Sequence, residues 1–273
     1  MKTLEMRENA GVPYLAFPLL ERTGIVVHAF STRQGGVSQN EFASMNFASD
    51  RGDDPACVRE NYSRMAAVLG VRPDQMVLSR QTHTTNLRVV TAEDAGKGVT
   101  RDRDYMDVDG LVTNVPGLVL VTSYADCVPL YFVDPVHKAI GLSHSGWKGT
   151  VGRIGEVTVR KMQELYGSDP GDILACIGPS ICKDCYEVSQ DVAEAFQGIF
   201  SEALWERILE DKRNEKYQLD LWESNRLILL GAGIREEHLA VTDLCTCCNP
   251  ELLFSHRATG GKRGNLGAFL GLR

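Results

Sequence analysis

Residues 117–147 have the sequence GLVLVTSYADCVPLYFVDPVHKAIGLSHSGW, which carries most of the information about the fold. An apolar, β-branched run extends over 117–133 and is interrupted by Ala-Asp-Cys at 125–127. A second run over 138–142 leads into the polar sequence Ser-His-Ser-Gly-Trp at 143–147. Short apolar runs bounded by polar residues are typical of buried strands. The stretch therefore predicts strands that end in polar side chains.

Further strands and helices are predicted on both sides of this stretch. Other strands are predicted at 26–30, 76–78, 87–90, 173–181 and 239–244. Helices are predicted from Asp54 to a stop at Gly70, over 150–166, around 192–199 and around 219–230. No G-x-G-x-x-G turn follows the first predicted strand, which disfavours a doubly wound sheet. We therefore expect an α+β fold with mixed sheets, in a single domain spanning residues 1–273.

Composition excludes several classes of protein. The 273 residues carry a formal net charge of −7, whereas a protein that wraps a nucleic acid needs clustered Lys and Arg. No apolar stretch is long enough for a transmembrane helix, so no membrane partner is expected. The acidic N-terminal residues do not resemble a signal peptide. We expect a cytoplasmic protein whose eight cysteines are reduced, with a small anionic substrate still possible.

His83, Cys127 and His144 are candidate metal ligands. The intervals between them are 44 and 17 residues, too long for a local zinc finger but suited to separate strands or loops that converge. Two imidazoles and one thiolate suit Zn²⁺, or copper, and leave a fourth position open for water or substrate. The residues alone also allow another interpretation, in which the histidines are hydrogen-bonded at strand ends and Cys127 is a small buried side chain.

Eight motifs add a family resemblance over residues 24–272. In order along the chain they are STRQGGV (31–37), FASMNF (42–47), GDD (52–54), QTH (81–83), ADCVP (125–129), HSGWKG (144–149), IGPS (177–180) and YEV (186–188). They resemble the motifs of the YfiH-like family, known as the laccase-domain or multicopper polyphenol oxidase family and later described as purine nucleoside phosphorylases.

The resemblance implies a fold, a cofactor and an activity. The fold is a four-layer α/β/β/α sandwich, and the cofactor is zinc held by His83, Cys127 and His144. The implied reactions are phosphorolysis of adenosine, inosine and 5′-methylthioadenosine, and deamination of adenosine, so the partners are purine nucleosides and phosphate. A blue-copper oxidase is physically awkward here, because its several copper sites need more than the six histidines of this chain.

Three further residues are candidates for substrate binding. Arg33, beside the Gly35-Gly36 turn, is the candidate phosphate clamp, and Asn46 is a neighbouring donor. A surface position for Arg33 and a turn-capping role for Asn46 remain alternatives. Asp126 is a carboxylate that could move protons, although an extended backbone would point it away from Cys127. Asp126 could instead orient a histidine, and Trp147 is predicted to be a core residue rather than a purine-stacking one.

The remaining cysteines allow a second site. Cys182-x-x-Cys185 and Cys245-x-Cys247-Cys248 would form a structural thiolate zinc site if the two segments meet, and Cys182 with Cys185 could also be a redox pair. Separate reduced thiols are the interpretation that the sequence favours.

Two other functions remain open at this stage. Cys127 and His144 without metal could be the nucleophile and base of a cysteine hydrolase or amidase. The chain could also be a non-catalytic metal-binding protein of cell-wall quality control, as suggested for relatives. The sequence does not predict the oligomeric state.

Overall fold

The computed structural model describes residues 3–273, and within this range the strands form two six-stranded mixed sheets and a small antiparallel sheet. The first sheet contains, in spatial order, β1 (Glu5–Asn9), β2 (Val12–Ala16), β3 (Val26–Ser31), β15 (Leu266–Leu272), β7 (Val119–Tyr124) and β4 (Met76–Leu78). The second contains β14 (Leu239–Val241), β10 (Leu174–Ile177), β8 (Val128–Asp134), β9 (Ala139–Ser145), β6 (Gly110–Thr113) and β5 (Leu87–Val89). The small sheet contains β11 (Glu187–Ser189), β13 (Lys216–Leu219) and β12 (Leu209–Asp211).

The helices connect these strands. They are α1 (Pro18–Glu21), α2 (Pro55–Leu69), α3 (Trp147–Val151), α4 (Ile154–Tyr166), α5 (Gln190–Gln197), α6 (Glu202–Ile208), α7 (Leu221–Gly231) and α8 (His256–Thr259). No helix in the described part of the chain combines the length and apolar character needed to cross a bilayer.

Three buried clusters define four layers. Between the two sheets lies a cluster that includes Phe30, Leu120 and Leu142. A second cluster packs α2 on the outer face of the first sheet, and a third packs α4 and α7 on the outer face of the second. Each fully buried Leu or Phe contributes about 1.5–3 kcal/mol of transfer free energy. The α+β class and the four-layer α/β/β/α arrangement are therefore confirmed.

The helix predictions are largely confirmed. Helix α2 begins after Asp54, whose carboxylate accepts a hydrogen bond from the amide of Ala56, and ends at Gly70 in the left-handed conformation (φ 68°). The predicted helix over 150–166 is instead two helices, because Gly152 and Arg153 interrupt it and Arg153 has φ 58°. Helix α3 begins at Trp147, and only Gly146 separates it from the end of β9 at Ser145.

Strand β15 is missing from the sequence predictions, although it lies at the centre of the first sheet between β3 and β7. Its sequence, LGAFLGL, is poor in β-branched residues and contains two glycines, which lowers its apparent strand propensity. The sheet requires one of these glycines, since a Cβ on Gly271 would lie 2.9 Å from Val119 and 3.0 Å from Val27. Gly271, which lowers the apparent strand propensity of the segment, is therefore required by the position of β15 between two other strands.

Candidate metal centre

The candidate metal centre lies where the chain passes from one sheet to the other. Strand β7 belongs to the first sheet and β8 to the second, so residues 125–127 connect the two layers. His144 lies near the end of β9, the antiparallel neighbour of β8. His83 lies in the loop between β4 and β5, with φ 64°. Strand ends from both sheets therefore bring these side chains to one edge of the sandwich.

His83, Cys127 and His144 meet at this edge. Their nitrogen and sulfur ligand atoms all lie within 4.8 Å of one another. The Sγ atom of Cys127 is 3.9 Å from Nε2 of His83, and the two imidazole rings have centroids 4.9 Å apart. His144 is buried, Cys127 is half-buried and His83 is exposed, so the cluster has one open side. Two imidazoles and a thiolate with an open side form a donor set that fits a catalytic zinc ion.

Asp109 supports both histidines and is absent from the sequence-based candidates. Its Oδ1 atom accepts hydrogen bonds from Nδ1 of His144 at 2.8 Å and from the backbone amide of His83 at 3.0 Å. Its Oδ2 atom accepts from the amides of Thr82 and Thr84 at 3.0 and 2.9 Å. Because Nδ1 of His144 donates to a carboxylate, Nε2 is left as the ligand atom. The only feature of the sequence that could have indicated Asp109 is its position directly before residues 110–113, which form β6.

The pKa values describe a charged pair in the metal-free cluster. Burial would raise the pKa of Cys127, but His144 and His83 lower it to about 6. Burial would lower the pKa of His144, but Cys127 and Asp109 raise it to about 9. The pKa of Asp109 falls to about 2, because its hydrogen bonds to His144 and the loop amides outweigh burial. At neutral pH the metal-free cluster therefore holds a thiolate beside an imidazolium.

Gly146 allows the cluster to be compact. A Cβ at this position would lie 2.8 Å from Cδ2 of His83 and 3.1 Å from Sγ of Cys127. The glycine of the motif at 144–149 thus provides the space that the other two candidate ligands occupy.

Two cavities adjoin the cluster: His83 and Cys127 line both, and His144 lines the larger one. The smaller, of about 270 Å³, is lined on its other sides by Trp147, Ile181 and Tyr186, among others. The larger, of about 700 Å³, is basic, since its lining includes five arginines: Arg51, Arg80, Arg103, Arg257 and Arg263. Trp147 is half-buried and packs against the hydrophobic cluster of α4 and α7, as predicted for a core residue, and it also lines both cavities. The two cavities thus share a wall that includes His83, Cys127, Trp147 and Tyr186, and the arginines line the larger cavity alone.

Arg263 is a buried cation in the lining of the larger cavity. Its side chain is buried, and its Nε has no hydrogen-bond partner. One terminal nitrogen contacts Asn265, and the other lies 3.5 Å from Nδ1 of His256. Burial and the nearby Arg51 lower the pKa of Arg263 to about 10, so it is still a cation at neutral pH. A buried cation with an unpartnered donor is suited to binding an anion.

Asp126 faces the same cavities as Cys127, which corrects the expectation that the two side chains diverge. The alternation of an extended strand does not apply, because Asp126 lies in a tight connection and has φ 86°. Its Oδ1 accepts a hydrogen bond from Thr246 at 2.6 Å, and its Oδ2 accepts one from the amide of Arg257 at 2.7 Å. The side chain therefore connects the β7–β8 turn to the loop after β14 and to α8.

The structure does not bring Arg33 to the cluster, and Arg33 does not line either cavity. Its guanidinium donates to the carbonyl of Ala43 at 2.9 Å and to that of Pro250 at 2.7 Å, and it lies over the ring of Phe254. These contacts hold the turn after β3 against the C-terminal loops. The geometry therefore favours a structural role over a phosphate clamp.

Asn46 has a similar structural environment. It is fully buried and also lies outside both cavity linings. Its amide nitrogen donates to Asp53, and its amide oxygen accepts from the backbone amides of Ala48 and Asn265. The turn-capping alternative accounts for these contacts.

Comparisons with known proteins agree with the fold and the motifs. The model of the multi-copper polyphenol oxidoreductase laccase family matches residues 27–273. This chain belongs to that family. The match confirms the resemblance seen in the motifs.

Individual relatives of this laccase-family chain cover nearly its whole length. It is 39% identical to purine nucleoside phosphorylase YlmD of Bacillus subtilis, over 91% of this chain and 89% of the relative. It is 34% identical to adenosine deaminase RL5 from an unknown prokaryotic organism, over 87% of this chain and 91% of the relative. The crystal structure of the hypothetical protein YfiH from Bacillus licheniformis superposes with a TM-score of 0.92 at 34% identity, covering 98% and 99% of the two chains.

The histidines that the structure describes do not form the several copper sites that the laccase designation of the family would require. Of the six, only His83 and His144 belong to a group of candidate metal ligands within residues 3–273. His28 accepts a hydrogen bond from the amide of Phe17, and His137 pairs with Asp134. One mononuclear site with two imidazoles is thus what the described histidines can build.

Proposed function

We propose that this chain is a zinc-dependent purine nucleoside enzyme. Its reactions are phosphorolysis of adenosine, inosine and 5′-methylthioadenosine to the free base and the corresponding ribose 1-phosphate, and deamination of adenosine to inosine. The observation that carries the proposal is the His83–Cys127–His144 cluster beside two adjoining cavities, which share the aromatic side chains of Trp147 and Tyr186 and the larger of which also contains five arginines. The names of the two curated relatives match the two kinds of reaction.

The two cavities suggest how a nucleoside and phosphate are arranged. Trp147 and Tyr186 supply aromatic surface for a purine in the smaller cavity. Arg263, with His256 beside it, supplies the cation for phosphate in the larger one. Holding the phosphate beside the ribose accounts for part of the rate of phosphorolysis through proximity alone. Electrostatic stabilisation of the negative charge that develops on the departing purine would come from the side of the cavity on which the cluster lies.

The cluster residues are proposed to hold zinc, with copper as the alternative ion. His83, Cys127 and His144 are the ligands, and Asp109 fixes the ring orientation of His144. When bound, the ion would supply Lewis acidity and lower the pKa of a water molecule, which is the chemistry that deamination at C6 of adenine requires. Asp126 has a lone pair left on each oxygen after its two hydrogen bonds, so it can accept a proton at the same wall.

All eight cysteines are unpaired, which suits a reducing cytoplasm.

The test is incubation of metal-quantified protein with adenosine, with and without phosphate, followed by chromatography of adenine, inosine and hypoxanthine. The proposal expects adenine only when phosphate is present, inosine under both conditions, and about one zinc ion in the cluster of each chain. Zinc-loaded protein that forms no purine product under either condition would contradict it.

A metal-independent cysteine hydrolase is the second candidate, because Asp109, His144 and Cys127 form a chain of acid, imidazole and thiolate. Alkylation distinguishes it from the first. Rapid modification of Cys127 that added zinc does not slow would favour the hydrolase, whereas protection by zinc favours the nucleoside enzyme.

A further inference from the structure

A second cluster of thiols lies outside the site described above. Cys182 and Cys185 come from the loop after β10, and Cys245 and Cys248 come from the loop after β14. Their four sulfur atoms all lie within 4.8 Å of one another. We propose that these four cysteines bind one zinc ion as a closed, structural tetrathiolate site.

The spacing in the sequence is that of thiolate zinc sites. Each segment is a Cys-x-x-Cys, and the two segments are separated by a long stretch of chain. The sequence favours separate thiols only because it does not show that the loops meet. In the structure they do meet, and an isolated bridge between Ser180 and Cys245 aligns them.

The distances between the sulfur atoms fit a tetrahedral ion. With Zn–S bonds of about 2.3 Å, tetrahedral geometry places the sulfur atoms about 3.8 Å apart. Sγ of Cys248 lies 3.4 Å from Sγ of Cys185 and 4.0 Å from Sγ of Cys182. A disulfide would require about 2.05 Å. The cluster is thus spaced for four ligands around a common centre.

Backbone amides already point at one of the sulfur atoms. Sγ of Cys245 accepts hydrogen bonds from the amide of Cys182 at 3.3 Å and from that of Cys248 at 3.4 Å. Such bonds favour the thiolate form, which is the form that binds metal. The bond from the amide of Cys182 crosses between the two segments and connects them, whereas the bond from the amide of Cys248 lies within the second segment.

Membership of the cluster is selective. Cys247 is adjacent to Cys248 in the sequence but is not part of the group of four. Cys57 and Cys176 lie elsewhere, in α2 and β10. The grouping is therefore not a simple result of a cysteine-rich segment.

Zinc at this site would stabilise one wall of the substrate cavities. Ile181 and Tyr186, on either side of the first Cys-x-x-Cys, line the smaller cavity. Thr246, inside the second, donates to Asp126. Arg257 donates to the carbonyl of Cys185 at 3.1 Å and carries positive charge close to the thiolates. With four protein ligands the ion has no position for substrate, so its role is to hold the two loops together.

The proposal is tested by metal content and does not depend on the activity proposed above. Three proteins are purified with reductant and loaded with zinc: the wild type, Cys248→Ser and Cys57→Ser. The zinc content per chain of each is measured by inductively coupled plasma mass spectrometry. Cys248 is exposed, so the serine is tolerated sterically. We expect Cys248→Ser to hold about one zinc fewer than the wild type and Cys57→Ser to match the wild type. Equal zinc in all three proteins would overturn the proposal.

A second measurement uses the wild-type protein alone, so it does not depend on the folding of a variant. Iodoacetamide labelling is mapped by peptide mass spectrometry before and after removal of zinc with a chelator. We expect Cys182, Cys185, Cys245 and Cys248 to be protected together in the zinc-loaded protein and labelled after chelation, while Cys57 is labelled equally in both. Labelling of the four that does not respond to zinc, or a disulfide between the two segments in reduced protein, would overturn the assignment.

Discussion

Asp109 and His144 form a buried pair in which Nδ1 of the imidazole donates to Oδ1 of the carboxylate at 2.8 Å. The same carboxylate accepts three backbone amides of the loop that carries His83. One side chain therefore sets the tautomer of one proposed ligand and the backbone position of another. A metal centre assembled from distant parts of the chain depends on this kind of support.

We expect Asp109→Asn to weaken zinc binding by about 10- to 100-fold, because an amide cannot accept from both His144 and the loop amides as a carboxylate does. Zinc affinity is measured by competition with a chromogenic chelator. Asp134→Asn is the matched control, since Asp134 pairs with His137 at 2.9 Å away from the cluster. An equal effect of the two substitutions would show that Asp109 has no specific role.

We expect His83→Ala, Cys127→Ala and His144→Ala each to abolish both deamination and phosphorolysis, because each removes one of three ligands. The fold should remain intact, as judged by circular dichroism. The assays are those of the chromatographic test, with Cys57→Ala as a control for loss of a thiol outside both clusters. Full turnover in any of the three variants would exclude the cluster as the centre of the reaction.

We expect Arg263→Gln to raise the KM for phosphate by about 10- to 100-fold, since a hydrogen bond to a charged group is worth about 1.5–3 kcal/mol. Adenosine deamination should be largely unaffected because it needs no phosphate. Arg33→Gln is the comparison: it should lower the thermal midpoint through loss of contacts to Ala43 and Pro250 while leaving the phosphate KM unchanged. A higher phosphate KM in Arg33→Gln, with an unchanged phosphate KM in Arg263→Gln, would instead indicate that Arg33 binds the phosphate.

We expect His28 to make stability depend on pH. Its Nε2 accepts from the amide of Phe17, and burial lowers its pKa to about 4, below the value of about 6.5 in an unfolded chain. The unfolded state therefore binds the proton more readily between these values, so stability falls as the pH drops from 6.5 towards 4. The loss between pH 7.5 and pH 5 amounts to about 2 kcal/mol.

The measurement for His28 is urea unfolding at the two pH values, compared with His28→Gln. The glutamine can still accept the Phe17 amide but does not titrate, and any loss of metal at low pH affects both proteins alike. Wild type should lose about 2 kcal/mol more than the variant. Identical losses would show that His28 does not titrate in this range.

The sequence predicts the parts of the fold whose signal is local. Helix α2 follows from its apolar spacing, its Asp54 cap and Gly70, and the strands around 117–147 follow from their composition. The candidate ligands were selected by the donor chemistry of imidazole and thiolate together with the family motifs, because the residues alone also allow histidines that are only hydrogen-bonded at strand ends. Local signals do not reveal long-range pairing, which is why β15 was missed.

The misjudged site residues have the same explanation. Asp109 acts on His144, 35 residues further along the chain. Arg263 acts in a cavity that several loops form together. Neither residue therefore has a local sequence pattern. Arg33 stands in a glycine-containing turn typical of anion binding, but its guanidinium donates to the carbonyl of Ala43 and to that of Pro250, which lies 217 residues further along. Asp126 departs from strand alternation because of a single positive φ that no neighbouring residue signals.

The central position of β15 has a consequence for biosynthesis. The ribosome makes β3 and β7 long before residues 266–272, yet β15 pairs with both of them. Until that strand emerges, the growing chain exposes two unpaired strand edges and the apolar faces that flank them. Non-local pairing of this kind also slows folding. Assembly of the first sheet is thus a late event, and the nascent chain before it is the form most exposed to aggregation and most dependent on chaperones.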